Sequence, residues 1–205
     1  SRYEKNGYIL KEAENKEAKV NSNFRLPNEK MVLDEFLKNI LSEDGKWHKK
    51  NNFLKTKPGA IFEYSNVAAG LAALVIEKAT NQAFNEFTNE HILTPLGMSN
   101  SGWSFTEVDF SKHSKLYKDK ETELAFYQLV NYPDGGLITS STDLGKYLTE
   151  LIAGNNGNGS ILNKQSYEEL LNHNMLMKMI MKEMKVVIMT KIKREFLGVV
   201  TRKEK

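Results

Sequence analysis

Cysteine is absent from the 205 residues, which excludes a disulfide framework, thiol catalysis and Cys-ligated zinc. That absence fits either a reducing cytoplasm or a bacterial periplasm. Nor does any apolar stretch approach the roughly 20 residues that cross a bilayer. The longest, Val67 to Ile76, ends at the charged pair Glu77 and Lys78, so no membrane span is expected. The chain starts at Ser1 without a basic segment, an apolar run and a small-residue cleavage site, so any targeting segment is expected to have been removed or left out. Gly-x-Ser-x-Gly, Walker, Gly-x-Gly-x-x-Gly and His-Glu-x-x-His patterns are all missing, which argues against lipase-type, nucleotide-binding and zinc-peptidase functions. The four histidines, at 48, 91, 113 and 173, are scattered. No metal site is expected from them, and His91, on the apolar side of a helical pattern, is expected to be a hydrogen-bonded core residue.

What is present suffices for a globular core: 40% of the residues are hydrophobic and 27% charged, a composition that suits one domain or a large piece of one. The net charge of +3 is unevenly placed. Residues 174 to 205 carry nine Lys or Arg against three Glu, so the rest of the chain is acidic. Six of the eight methionines lie between Met175 and Met189, and no asparagine follows Asn174. The expected division is therefore a body, 1–173, and a basic Met/Lys-rich tail, 174–205. A basic helix that touches a membrane or nucleic acid is one explanation of the tail. A shifted reading frame is favoured, because Asn, Asp and Glu codons read one base late yield the Met-Ile-Met-Lys texture of Met177 to Met184. Such a tail is expected to have no evolved packing partner.

Along the body, residues 1 to 26 are polar and suit a strand or loop. Leu33, Phe36, Leu37, Ile40 and Leu41 share one helical face, after Pro27-Asn28 and before Gly45. Gly45 to Pro58 is a Lys-rich surface excursion with Trp47 and Phe53 as expected anchors. From Asn66 a run of apolar and small residues predicts a helix at the centre of the core, apolar on all sides. Phe84, Phe87, His91 and Ile92 predict a further helix stopped by Pro95 and Gly97. Ser99 to Thr139 reads as a long loop with one or two short strands around Leu124 to Val130. Leu144, Tyr147, Leu148, Leu151 and Ile152 repeat the helical spacing, capped by Ser140 or Ser141 and ended by Gly154. A Gly/Asn turn then leads to a short helix holding Tyr167, Leu170 and Leu171.

The segment Lys57-Pro58-Gly59-Ala60-Ile61-Phe62-Glu63-Tyr64-Ser65-Asn66 enters the apolar helix, and is followed by Pro95-Leu96-Gly97-Met98 and Gly135-Gly136-Leu137-Ile138-Thr139-Ser140-Ser141. The order and spacing resemble the class C β-lactamase-like serine hydrolases of the serine β-lactamase and penicillin-binding protein superfamily, over about residues 55 to 172. The resemblance implies an α+β, transpeptidase-like fold, of which this chain is the mainly helical central portion with most sheet strands elsewhere. It also implies hydrolysis of an amide or ester through an acyl-serine, a small-molecule or peptide substrate, no cofactor, no nucleic acid, and an exported, periplasmic or secreted protein. Tyr64 takes the role of general base, which requires nearby positive charge to lower its pKa. Asn66 takes the role of orienting the substrate through its amide. Ser65 is expected to be a helix cap.

Two parts of the family pattern have no counterpart here. The nucleophile is the Ser of a Ser-x-x-Lys motif, and no serine of this chain has a lysine three residues later; Ser42 and Lys46 are one residue too far apart. The later Lys- or His-x-Gly strand motif is also missing, since Lys57-Pro58-Gly59 precedes Tyr64 in a turn. The sequence is accordingly expected to be a fragment, inactive alone. A non-catalytic helical binding module that keeps the groove is the alternative.

Overall fold

The computed structural model describes residues 8–10, 24–26, 28–29, 31–61, 63–117 and 119–172. The chain divides into two compact units, residues 1–145 and 146–205, and the Met/Lys-rich tail lies outside the described residues.

In the first unit, strands β1 (Tyr8–Leu10), β2 (Phe24–Arg25) and β3 (Tyr127–Leu129) form one sheet in the order β2-β1-β3. β1 runs parallel to β2 and antiparallel to β3, with Ile9 opposite Gln128. Helices dominate the rest, so the expected α+β, mainly helical class holds. Helix α1 spans Leu33–Leu41 and buries Leu33, Phe36, Leu37 and Ile40, the face its spacing dictates. Asp34 and Glu35 stand in its first turn, where the helix dipole favours negative charge. Helix α2 spans Asn66–Thr80. Val67, Ala73 and Val130 join the α1 residues in the core, with Trp47 and Phe84 packed against them. Lys78 of α2 pairs with Asp34 of α1 at 3.0 Å. That contact and the Lys38 ion pair hold the Asp34 carboxyl below its usual range, with Lys78 the larger cause.

Several sequence expectations need correction. Helix α2 is not apolar-covered on all sides: Val67, Gly70 and Ala73 are buried, whereas Leu71 is 42% and Val75 61% exposed. An all-round apolar helix needs neighbours on every side, and among the described residues they stand on one side only. Phe53 is 44% exposed and rests on His48 with ring centroids 5.3 Å apart, so of the two anchors only Trp47 reaches the core. Helix α3, Phe84–Thr88, continues into a π turn, Asn89–Leu93. The wider turn brings Leu93 into the interior and leaves His91 half-exposed against the Phe87 ring, with centroids 4.5 Å apart, rather than in the core.

Ser140 is the cap of helix α4 (Ser141–Asn155): its hydroxyl accepts from Asp143 N at 3.1 Å. The face expected to be buried is uncovered among the described residues, where Leu144, Leu148 and Ile152 are all more than half exposed. The boundary between the units falls within this helix. In the second unit, Tyr167 of α5 (Lys164–Asn172) is 1% exposed. Its ring lies so close to Gly154 and Gly159 that a Cβ at either position would approach it to 2.3 and 2.2 Å.

Candidate functional site

Helix α2 begins at the segment singled out by the sequence. Ser65 has extended backbone and is the N-cap; its Oγ accepts from Ala68 N at 3.2 Å, and its carbonyl from Ala69 N at 3.2 Å. A serine committed to an orphan helix N–H is a cap, as the sequence suggested. Tyr64, on one side of it, is 63% exposed. Asn66, on the other, is the first helical residue, and its Oδ1 is buried with no hydrogen-bond donor among the described residues.

All three residues line one concavity of about 570 Å³, with Ile40 and Leu41 from α1, the Asn51–Leu54 stretch, and Val67, Ala68 and Leu71 from α2. Glu63 is the only acidic or basic residue among the described residues of that lining. The cation that a tyrosine base requires is therefore not part of the lining. A larger hollow of about 680 Å³ lies at the other end of α2 and is lined by Glu77, Trp103 and Tyr132, but it contains neither Tyr64 nor Asn66.

The Gly135-Gly136 segment is not part of the Tyr64 concavity. It is instead tied back to the turn that precedes it, Gly136 N donating to Tyr132 O at 2.7 Å. That turn reaches the site through a residue that sequence reasoning did not single out. Asn131 is buried, and its Nδ2 donates to the Asn66 backbone carbonyl at 2.8 Å and to Asp134 Oδ2 at 2.7 Å. The adjacent Tyr132 hydroxyl accepts from Asn85 N at 3.3 Å and donates to Glu77 Oε1 at 3.4 Å, near the far end of α2. Burial, with the Glu77 carboxylate beside it, raises the Tyr132 pKa. The one sequence hint was Gly70, whose place inside an apolar helix is explained by the close approach of Asn131.

The sequence profile of the β-lactamase family matches residues 23–179, well over half of the chain. The chain belongs to the β-lactamase family. The β-lactamase match runs through α1, the Tyr64-Ser65-Asn66 segment and α4, and ends beyond Asn174. Among curated proteins, this β-lactamase-family chain is 27% identical over 145 residues to Protein flp of Staphylococcus aureus strain MW2, covering 60% of this chain and 29% of that protein. It is also 28% identical over 107 residues to Putative beta-lactamase-like 1 of Homo sapiens, covering 51% and 21%. The matched part is thus less than a third of either relative's length. Of solved structures, the octameric penicillin-binding protein homologue from Pyrococcus abyssi is similar at 27% identity with a TM-score of 0.46, covering 67% of this chain and 34% of that one. The D-amino acid amidase from Ochrobactrum anthropi SV3 is similar at 20% identity with a TM-score of 0.47, covering 58% and 35%.

Proposed function

We propose that this chain carries the general-base and substrate-orienting portion of a serine hydrolase site, and that the whole protein cleaves an amide or ester (a β-lactam, a D-alanyl peptide or a simple ester) through an acyl-serine. The observation that carries the reading is the arrangement at one concavity of an exposed phenol, Tyr64, and a buried amide oxygen, Asn66 Oδ1, that lacks a donor. Buried polar atoms are rarely left unpaired, because doing so costs about 1–3 kcal/mol. Here the missing partner is supplied by a substrate N–H or by the ammonium of a catalytic lysine.

In such a reaction Tyr64 takes the proton from the serine hydroxyl as its Oγ attacks the carbonyl carbon. It then gives that proton to the departing amine or alcohol. A water molecule repeats the sequence to release the acyl group. Asn66 holds the substrate so that the attacked carbonyl lies within reach. The serine and the lysine that activates it are contributed by sequence other than these 205 residues, since no Ser-x-x-Lys occurs here. The uncovered apolar faces of α2 and α4 fit that reading, because they are surfaces on which further chain can pack. The lack of cysteine is compatible with an oxidising compartment, and we extend the proposal to an exported protein.

The test is intact-mass spectrometry combined with turnover of a chromogenic β-lactam and a nitrophenyl ester. Loss of the acylating serine typically removes on the order of 10⁶ in turnover, so neither hydrolysis nor an adduct is expected. A stoichiometric acyl adduct on any serine of this chain would overturn the proposal.

A further inference from the structure

The clamp on α2 is built from one carboxamide. Asn131 Nδ2 has two protons, and both are used, on the Asn66 carbonyl at 2.8 Å and on Asp134 Oδ2 at 2.7 Å. Because both partners are pure acceptors, the nitrogen must face them, and this fixes which way the amide is turned. Its oxygen then points at Gly70, where a Cβ would stand 1.7 Å from Oδ1. Only glycine lets Asn131 lie this close to the helix.

The Asn66 carbonyl belongs to the peptide unit that leads from Asn66 to Val67, inside the first turn of α2. Helix ends fray, since the opening turn has no preceding residues to bond to. A carbonyl has two lone pairs, so Asn131 can bind this one without displacing the helical N–H. The added bond, made from a residue 65 positions away in the chain, fixes the plane from which the Asn66 side chain departs. Tyr132, one residue on, takes hold of Asn85 N and Glu77, so the anchor does not slide along the helix.

We infer that Asn131 is a positioning residue for Asn66: through the Asn66 backbone carbonyl it sets the direction in which the Asn66 carboxamide faces the concavity, with Gly70 as its seat. The inference rests on the site reading given above, but its test is made on the ligand-free chain.

Two nuclear magnetic resonance measurements on the intact 205-residue protein test it. In the wild type, the Asn131 carboxamide protons should exchange with deuterated solvent on the order of tenfold more slowly than those of the exposed Asn51. Equal rates would overturn the inference, whatever the behaviour of any variant. In Asn131→Asp and Asn131→Ala, the Asn66 side-chain NH₂ resonances should move and broaden, while the amide resonances of α1 stay in place. Asp matches Asn in size but cannot donate, so a folded Asn131→Asp protein with unchanged Asn66 resonances would also overturn it. A negative ligand titration at Tyr64 and Asn66 would instead remove the substrate role of Asn66 and leave the clamp standing.

Discussion

Tyr167 donates its phenolic proton to Glu150 across the interior of the second unit, and the same carboxylate oxygen accepts from Ser160 N at 2.6 Å and Ile161 N at 3.0 Å. One buried acid thus joins α4, the Gly/Asn turn and α5. The phenol is the largest influence on the carboxyl, which is lowered to about 2 from its ordinary 4.5, against the upward push of burial. Burial first, and then Glu150, raise the Tyr167 pKa.

A folded-state pKa below the unfolded one stabilises above the unfolded value and loses that contribution as pH falls. Stability from Glu150 should be complete above about pH 4.5 and drain away toward about 2. Tyr167→Phe keeps the ring but removes a hydrogen bond to a charged acceptor, which is expected to cost about 1.5–3 kcal/mol. The acid midpoint of the α4 and α5 resonances, followed by pH titration, should move to higher pH in the variant. An unchanged midpoint would show that the phenol does not hold the carboxylate.

Gly70→Ala sets two effects against each other. Alanine improves helix propensity by about 1 kcal/mol. The new Cβ, however, would stand 1.7 Å from Asn131 Oδ1, so the buried carboxamide must move and give up its bonds to Asn66 and Asp134. Overpacking and lost hydrogen bonds together are expected to win, with a net loss of about 1–3 kcal/mol in urea unfolding. A stabilised variant would contradict the packing described.

Asp143 is fully buried and accepts from Asn100 N at 2.7 Å and Ser101 Oγ at 3.0 Å, which ties the loop after Pro95-Leu96-Gly97-Met98 to the start of α4. Both donors share Oδ2, so Asp143→Ala takes away the one oxygen that accepts from the Asn100 amide and the Ser101 hydroxyl. The expected loss is about 2 kcal/mol, together with faster hydrogen exchange at Asn100. Asn100 should respond most, because its amide donates directly to the Asp143 carboxylate.

Helix positions were legible because period and punctuation agree. Leu33, Phe36, Leu37 and Ile40 lie on one face and are all buried, and Ser65 caps the helix it precedes. Which faces are covered was not legible. The apolar character of Leu71, Val75, Leu148 and Ile152 states a preference for burial, whereas burial itself needs a neighbour, and the described residues bring none to them. His91 was misplaced because a π turn changes the period without leaving a mark in composition. Tyr64 and Asn66 were singled out by ordered landmarks, whereas Asn131 left only the indirect trace of Gly70: its contact spans 65 residues, and no local spacing encodes that.

The most direct measurement of the central claim is a titration of the isotope-labelled chain with benzylpenicillin, followed on the Tyr64 ring and the Asn66 carboxamide. The account expects both sets of resonances to shift together and saturably, with neighbours that line the same concavity, such as Ala68 and Leu71, and expects Asn66→Ala to abolish the response. Saturable shifts confined to other parts of the chain, or a response unchanged in Asn66→Ala, would contradict it.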